Sequence, residues 1–524
     1  MQEAGPIGRR LFLNTRFAFN VTDVDVRSDL EAPTIRVNDA FTSGGAQTSG
    51  GRLSKFFDLQ SDLDYVRGIH SLRAGINSQT QAVHADQNSN YLGTYTFDSL
   101  ASFQDGRPTS YSRRIGDPAI QTLNVMTAMY VQDDIRVRRN LTLSPGVRYE
   151  VQSHLRDYNN FVPRFGFTWA PFKSGRTTFR GSAGIFYDWM NQGTLEQVTR
   201  VDGLHQQQVN IFNPSYPDPG SITAVLPADR YLLDPSLKMP RNIRFSGGID
   251  QQLAPRLRVN AIYQHWRTDE MWRGLNLNAP VGGVRPNAAV ANILDVMSDA
   301  SFRAHQLQVG WNVVPPQLQP FNAQGALWSW KRVGFGGSYT FTHARDNTDG
   351  EFSVPPGGLA NEWGRAGRDI PYRLNVNVNL AMLRNLQANL SWNLQAGNVY
   401  TIRTGLDDNA DLIWNDRPIG VERNTLRGSP MGGLNAQFAY SIPIRKRVGA
   451  LPPGIQVSNQ NGNITVNQFT DAARYRITLR LEAQNLTNRY NYTGYSGLLT
   501  SQFFGQPTAV NNPRRIDVGV MFNF

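Results

Sequence analysis

Alternation of apolar and polar residues is the feature that most restricts the fold of this 524-residue chain. In residues 386–396, leucine, alanine and tryptophan take the even positions, and glutamine, asparagine and serine take the odd ones. The same period of two recurs in 372–380, 475–483 and 516–524. Successive side chains of a β-strand point to opposite faces, so each segment is predicted to be a strand with one apolar and one polar face.

Weaker copies of the pattern raise the prediction to about sixteen strands. They lie at 9–21, 53–66, 70–83, 122–137, 141–152, 161–171, 177–188, 241–253, 257–268, 303–314, 332–344 and 431–444. Several of the strands run for 11 to 15 residues, whereas strands of globular sheets most often have about five or six. The chain is therefore predicted to be all-β, with strands long enough to cross a membrane.

The links between the predicted strands alternate in length. Short links such as 67–69, 138–140 and 383–385 take turns with long ones. The long links are 84–121, 189–240, 269–302, 345–370, 400–430 and 487–513. Short periplasmic turns at one rim and long extracellular loops at the other are typical of a transmembrane antiparallel β-barrel. Three links depart from this trend: 153–160 is short on the outer side, and 315–331 and 445–472 are long on the inner side.

A soluble protein of several sheets is the alternative, because the strands of a sandwich alternate too. A membrane barrel accounts for more, since lipid would meet the apolar face and water the polar one. No run of about 18 apolar residues occurs, which excludes helical membrane spans. Aromatic residues near strand ends fit the girdles of a barrel at the two membrane surfaces: Tyr149, Trp169, Tyr187, Tyr263, Trp266, Trp311, Tyr339, Tyr400 and Tyr440.

Composition limits the chemistry that the chain can perform. Cysteine is absent, which excludes disulfides, thiolate metal sites and cysteine nucleophiles. We find no histidine metal motif, no phosphate-binding loop and no nucleophile motif, so we expect neither an enzyme nor a cofactor. The net charge is +11, but the arginines are dispersed along the chain, and this argues against nucleic-acid binding.

Charged residues on the predicted polar faces suggest two kinds of site. By alternation, seven arginines are expected to face a lumen: Arg148, Arg180, Arg244, Arg258, Arg373, Arg476 and Arg480. They could attract anionic ligands, but we favour pairing across the wall with Glu150, Asp250 and Glu482. In the acidic run 407–411, Asp407, Asp408 and Asp411 could hold calcium. A solvated loop is the favoured interpretation of this run, because Ca²⁺ needs six to eight converging oxygens.

Several motifs, taken in order, resemble those of TonB-dependent outer-membrane receptors, and more narrowly the Oar-like, acidobacterial type. The segment FVPRFGFTWAPF at 161–172 leads into RGSAGIFYD at 180–188. The other motifs lie at 68–75, at 130–134 with 140–143, at 415–418 with 423–424, and at 482–488 ahead of 513–515 and the terminal strand. Each motif alone is weak, whereas their order and spacing are fairly specific.

The resemblance implies that residues 1–524 are the C-terminal barrel portion of such a receptor. Barrels of this class have about 22 strands, so roughly the first six strands, together with the signal peptide, TonB box and plug, are expected to be missing from this sequence. The implied function is energised uptake of a bulky ligand, such as a siderophore complex, cobalamin, a glycan or a peptide. The long loops would bind the ligand, and the TonB complex would act through the plug, whose carboxylates could also pair with the lumen arginines. A passive porin-like channel and a structural or adhesive surface protein remain alternatives.

The chain ends on Phe524, after apolar residues at Ile516, Val518, Val520 and Phe522. In the family that the chain resembles, such an ending is the signal for the barrel-assembly machinery. Physically it would be an amphipathic edge strand that can pair with another sheet. The alternative is an ordinary final strand, and we favour the assembly signal.

Overall fold

The computed structural model describes residues 1–220, 229–314, 330–356, 362–446, 455–460, 463–468 and 473–524. Two short helices, α1 (Leu100–Gln104) and α2 (Gln192–Arg200), and a 3₁₀ turn at Trp330–Arg332 accompany a large number of strands. No helix within the described ranges has the length and apolar character needed to cross a membrane.

The strands are, in chain order, β1 (Gln2–Ile7), β2 (Leu11–Val26), β3 (Thr34–Val37), β4 (Phe41–Gly44), β5 (Thr48–Arg67), β6 (His70–Ala85), β7 (Asn88–Ser89), β8 (Thr94–Phe97), β9 (Ser110–Gly116), β10 (Ile120–Arg138), β11 (Leu141–Gln152), β12 (Phe161–Trp169), β13 (Thr177–Tyr187), β14 (Gln206–Phe212), β15 (Arg230–Leu233), β16 (Arg241–Ala254), β17 (Leu257–Asn276), β18 (Ile293–Val313), β19 (Val333–Asp346), β20 (Gly364–Arg365), β21 (Tyr372–Leu380), β22 (Leu386–Gln395), β23 (Val399–Tyr400), β24 (Leu426–Arg427), β25 (Met431–Lys446), β26 (Ile455–Gln460), β27 (Asn463–Gln468), β28 (Ala473–Gln484), β29 (Tyr492–Tyr495), β30 (Pro507–Val510) and β31 (Arg515–Asn523).

One antiparallel meander forms the wall of the molecule. Its strands pair in the order β1–β2–β5–β6–β10–β11–β12–β13–β16–β17–β18–β19–β21–β22–β25–β28–β31. All sixteen strands predicted from alternation belong to it, so the predicted all-β antiparallel class is confirmed. Alternation did not reveal β1, because its sequence QEAGPI contains glycine and proline and lacks a period of two. Among the described residues, β1 pairs only with β2 and β31 only with β28.

The apolar face of the wall is continuous from strand to strand. Register places Tyr440 opposite Leu479, and Leu479 opposite Val520. These side chains point outward, and Val520 is 70% exposed. Such an extensive exposed apolar surface would be unstable in water, because monomeric soluble proteins rarely expose apolar patches beyond a few hundred Å². It suits a sheet whose outer face meets hydrocarbon.

The opposite face is polar along the same strands. In β21 and β22, Asn375 lies opposite Asn393, and Asn377 lies opposite Ser391. Hydroxyl pairs continue this face elsewhere, with the oxygens of Ser182 and Ser246 2.6 Å apart. In a barrel this is the face that lines a hydrated lumen.

The links sort by length between the two rims. Turns such as 68–69, 139–140 and 255–256 close one rim, and all six long links predicted from the sequence lie at the other. A seventh long loop, 27–47, also lies at that rim and was not singled out by the sequence analysis. Most of the long inner link 315–331 lies outside the described residues, as does much of 445–472.

Two of the nine predicted girdle aromatics do not lie on the outer face, and a third, Tyr187, lies on the same face of β13 as Ile185 but contacts the outer loops. Trp266 is on the polar face, opposite Ala304 and Arg244. Tyr400 stacks on another loop tyrosine. Trp266 could have been excluded from the sequence, since it is three residues from Tyr263 and a period of two then puts them on opposite faces.

Candidate functional site

A small second sheet, built by three of the outer loops, forms one wall of the candidate site. Its strand order is β14–β9–β8–β3–β4, so it combines segments from loops 27–47, 86–119 and 188–240. These strands alternate as the wall strands do, and their apolar side chains form a core of Val37, Tyr95, Phe97 and Tyr111. Phe97 is fully buried. The outer loops therefore carry a hydrophobic core of their own, separate from the wall.

The other face of this sheet lines a cavity of about 690 Å³. Register aligns Arg36 with Thr96, and Thr96 with Ser110, so these three side chains form one row across three strands. All three line the cavity, together with Asn38 and Asp39 from the turn that follows β3. The period of two that buries Val37 and Tyr95 thus directs their neighbours into the cavity.

Two further outer loops close the opposite side of the cavity. Loop 396–430 contributes Tyr400, Arg403 and Trp414, and loop 485–514 contributes Tyr495. The rings of Tyr400 and Tyr495 stack at 5.3 Å between centroids and 14° between planes. Trp414 stacks on Phe212 of β14, also at 5.3 Å, and thereby connects this side to the small sheet.

A hydrogen bond joins the two sides of the cavity. The hydroxyl of Ser496, in loop 485–514, donates to Asp39 in loop 27–47. The loop 27–47 that the sequence analysis passed over therefore supplies part of the cavity. Its glycine- and serine-rich run at 43–51 was the available signal, since such clusters mark loops.

The cavity lining contains two arginines, Arg36 and Arg403, and three carboxylates, Asp39, Asp98 and Asp349. Arg36 and Arg403 are exposed, and within the described ranges no carboxylate lies within salt-bridge distance of either guanidinium. Asp349, another lining residue, is held by Arg423. The volume lies within the range of about 300–1,000 Å³ usual for ligand pockets. Aromatic rings beside free guanidinium groups can hold a ligand that has flat rings and anionic groups.

A buried ion-pair cluster, the Arg423 clamp, fastens loops 345–370 and 400–430 together. The side chain of Arg423 is 2% exposed; its Nη1 lies 3.0 Å from Asp346 Oδ1, and its Nε donates to Asp349 Oδ2 at 3.2 Å. Glu362 lies 3.8 Å from Arg423 Nε and also pairs with Arg417. Burial raises the pKa of Glu362, and the charge of Arg417 opposes this shift. The two arginines of this clamp, Arg417 and Arg423, lie in the segments 415–418 and 423–424, which were among the motifs that resemble those of TonB-dependent receptors.

Helix α2 ties loop 188–240 to the polar face of the wall. Asn191 caps the helix, its side-chain oxygen accepting the Thr194 amide at 2.9 Å. Arg52 of β5 makes two hydrogen bonds with Glu196, at 2.5 and 2.6 Å. This loop therefore folds back over the outer end of the polar face.

The seven arginines expected in the lumen all lie on the polar face by register. Arg148 donates to Glu150 at 2.6 Å, and Arg180 donates to Asp250 at 3.2 Å. Glu482 instead accepts a hydrogen bond from Gln437 at 2.7 Å. Of the three expected carboxylates, Asp250 pairs with an arginine of the neighbouring strand, and Glu150 pairs with an arginine of its own strand β11.

Two of the other five arginines contact the wall through groups other than a carboxylate. Arg373 donates to Gln395 at 3.1 Å, and the guanidinium of Arg244 lies 5.1 Å from the ring centroid of Phe186. Arg258 lies opposite Gln252 and Asn312, Arg476 opposite Pro443 and Asn523, and Arg480 opposite Ala439 and Gly519.

Carboxylates of the acidic run 407–411 accept hydrogen bonds from backbone amides of the same loop. Asp407 accepts hydrogen bonds from the amides of Asp411 and Leu412, both at 3.0 Å. Asp411 accepts the amide of Ile413 at 2.8 Å. Asp408 contributes its amide, which donates to Asp416 at 2.8 Å. In the part of the chain that the structure describes, no three acidic or histidine side chains are placed to share a metal ion.

Burial of these carboxylates predicts that the loop 400–430 weakens as the pH rises. Burial raises the pKa of Asp411 to about 6, from an ordinary value of 3.8, and also raises the pKa of Asp407 and Asp416. The closed loop then holds the Asp411 proton more tightly than the open loop does. Its extra stability is complete below pH 3.8 and is lost as the pH rises through about 6.

Hydrogen exchange of residues 404–416, corrected for intrinsic rates, should therefore be several-fold slower at pH 5 than at pH 7. The variant Asp411→Asn, which stays neutral, should lose most of this dependence. Equal corrected rates at both pH values in the unmodified protein would contradict the assignment.

A family model described as outer membrane beta barrel domain matches residues 13–157 and 154–517 of the chain. No curated protein sequence matches the chain. Several solved structures are similar in fold. The outer membrane transporter YddB from Escherichia coli superimposes with a TM-score of 0.62 at 12% identity, covering 100% of this chain and 62% of YddB.

Two other solved structures are similar in fold to this chain. The FrpB iron transporter from Neisseria meningitidis, in its apoprotein form, has a TM-score of 0.54 at 11% identity, with 99% of this chain and 63% of FrpB covered. FpvA from P. aeruginosa, bound to heterologous pyoverdines, has a TM-score of 0.52 at 10% identity, with 99% and 54% covered. At such identities the likeness is one of fold alone. The chain spans less than two thirds of the length of each of these proteins.

Proposed function

The chain belongs to the outer-membrane β-barrel domain family and resides in the bacterial outer membrane; on this premise we propose that it is the barrel of a TonB-dependent receptor that imports a bulky ligand. The observation that carries the proposal is the cavity of about 690 Å³ lined by the outer loops. Likeness of fold to outer membrane transporters supports it. In this proposal the chain binds and passes a ligand and catalyses no reaction.

The proposal includes parts beyond the 524 residues. A sheet in a membrane must close, because unpaired backbone groups cannot face lipid. We propose that further strands join β1 and β31 at the edges that have no strand partner among the described residues, and complete a barrel of about 22 strands. A plug domain inside this barrel, pulled by the TonB complex, would open the path for the ligand. The Oar-like, acidobacterial type remains the subfamily that we propose.

The ligand classes that we propose are those of the family: a siderophore complex, cobalamin, a glycan or a peptide. Arg36 and Arg403 favour a ligand with anionic groups, and the stacked rings of Tyr400 and Tyr495 favour one with flat rings. A passive porin is less well supported, because loop 188–240 folds over the polar face through the pair of Arg52 and Glu196. A structural or adhesive role would leave the cavity without a use.

We expect the variant Arg36→Gln/Arg403→Gln to lower ligand uptake by about tenfold or more, because each arginine would supply a charge-assisted hydrogen bond. The measurement is whole-cell uptake of labelled ferric siderophores, cobalamin, oligosaccharides and peptides, with and without TonB. Arg139→Gln, an exposed arginine in an inner turn, is the matched control and should have no effect.

Uptake of one ligand that persists without TonB would favour the porin alternative, as would steady conductance in a planar bilayer. Surface attachment that depends on the protein, without uptake of any ligand, would favour the structural alternative. A normal uptake rate in the double variant would exclude the cavity as the binding site.

We also propose that β31 is the signal recognised by the barrel-assembly machinery. The apolar residues of β31 and the residue that follows it are highly exposed, with Val518 at 76% and Phe524 at 94%. The strand is amphipathic and has a free edge among the described residues, which suits pairing with another sheet.

Phe522→Ala/Phe524→Ala should therefore lower the amount of folded protein in the outer membrane several-fold. Asn523→Ala, on the polar face between them, should leave it unchanged. The amount of heat-modifiable protein on gels of outer membranes measures this. Equal amounts of folded protein for the two variants would indicate that β31 is an ordinary final strand and not an assembly signal.

A further inference from the structure

An arginine strip crosses four neighbouring strands on the outward face of the wall. Arg267 of β17 lies opposite Arg303 of β18, Arg303 lies opposite Arg345 of β19, and Arg345 lies opposite Arg365 of β20. Directly opposed residues have Cβ atoms about 4.5–5.5 Å apart, and like charges in such positions are destabilising. A row of four arginines is therefore destabilised by repulsion unless anions lie nearby.

The strip lies just beyond the apolar belt, on the side of the long loops. Four residues along each strand toward the inner rim, the same face carries Tyr263, Leu307 and Phe341, which are 47%, 44% and 49% exposed. Four residues span about 14 Å along a strand, and somewhat less along the membrane normal because barrel strands tilt. The strip is therefore at the height of the lipid headgroups of the outer leaflet.

The residues around the strip also suit a membrane surface. Between it and the apolar belt lies a row of three opposed histidines, His265, His305 and His343. The guanidinium of Arg303 lies 5.6 Å from the ring centroid of Trp363. Tryptophan favours the boundary between hydrocarbon and water.

The protein itself neutralises only part of the charge of the strip. Arg267 pairs with Asp269 at 2.9 Å, and Arg345 pairs with Glu422 at 2.9 Å. Within the described ranges, no carboxylate lies within salt-bridge distance of Arg303 or Arg365, and both are exposed. Arg365 donates to the carbonyl of Thr425 at 2.9 Å, which does not cancel its charge. Two positive charges thus remain uncompensated on a surface that faces the membrane.

We propose that the arginine strip binds the phosphate groups of lipid headgroups in the outer leaflet. Guanidinium groups bind phosphate through paired, charge-assisted hydrogen bonds. The strip is continuous with the lipid-facing belt and lies on the outward face of the wall, whereas the loop cavity is built by the loops above it. A membrane lipid, rather than a dissolved anion, is therefore the occupant. The site is independent of the imported ligand and of the proposed transport function.

The test uses the complete protein, purified from outer membranes in detergent and stripped of lipid, with fluorescent lipid A as the probe. We expect the Arg303→Gln/Arg365→Gln variant to bind it about thirtyfold more weakly than the unmodified protein, since each arginine near an anionic membrane surface strengthens binding by about fivefold. Arg256→Gln, in the inner turn that precedes β17, should bind as the unmodified protein does. If the double variant does not assemble, Arg303→Gln alone should show a loss of about fivefold.

Three results would overturn the proposal. One is unchanged binding by the double variant, or by Arg303→Gln if that variant replaces it. Another is equal binding of lipid A from which phosphatase has removed the phosphates. The third is displacement of lipid A by an equimolar amount of inorganic phosphate, which would make the strip a site for a dissolved anion.

Discussion

Replacing Arg423 with leucine will open the outer loops around the cavity and cost about 3–5 kcal/mol of their local stability. The substitution removes one of the two arginines of the Arg423 clamp. It leaves Asp346, whose side chain is 11% exposed, without its cation, and leaves Glu362, 6% exposed, with Arg417 alone. A buried charge without its partner cannot recover its hydration, so the loss exceeds what a surface pair would give. Loops 345–370 and 400–430 would then separate.

Hydrogen exchange in these two loops measures the effect directly. It should accelerate in the Arg423→Leu protein, whereas exchange in the wall strands should not change. Arg139→Gln, on the opposite rim, is the control and should exchange as the unmodified protein does. The loss should also shrink in acid, since protonation removes the stranded charges. Unchanged exchange in both loops would show that the clamp does not hold them.

Replacing Leu390 with arginine will destabilise the barrel by about 2–4 kcal/mol, because the side chain lies in the middle of β22 on the face that meets hydrocarbon. Register places it between Val378 and Ala436. The same substitution at Ser391, one residue further, should cost little, because that side chain lies between Asn377 and Asn435 on the polar face.

The pair of variants keeps strand, depth and added charge the same and changes only the face. The measurement is the urea midpoint of unfolding from phospholipid vesicles. Equal losses for the two variants would contradict the assignment of the faces. A larger loss for Ser391→Arg would reverse it.

The wall could be predicted from the sequence because two different solvents act on its two faces. Lipid and water impose a period of two at every strand. The residue types of Leu390 and Ser391 therefore predict which face of the wall each side chain lies on, without any knowledge of neighbouring strands. The same period, applied strictly, would have kept Trp266 out of the list of girdle residues. Strand β1 was not predicted because its glycine and proline interrupt the alternation of apolar and polar residues.

The cavity could not be predicted in the same way. Its lining combines Arg36, Thr96, Arg403 and Tyr495, which are distant in sequence and have no shared spacing. Their meeting depends on the packing of five loops, and local composition does not specify it. The arginine strip is an intermediate case. The sequence shows that Arg267, Arg303 and Arg345 lie in or beside predicted strands, but only the register of three strand pairs brings them into one row.

The hydrogen bond between Ser496 and Asp39 joins residues 457 positions apart in the sequence. A contact of such long range has a high entropic cost of loop closure, which the contacts formed by the chain between its two ends must offset. A chain halted before its last outer loop is in place would lack one side of the cavity. The cavity is therefore complete only once loop 485–514 has been inserted, and a partly assembled barrel would present a cavity that is open on one side.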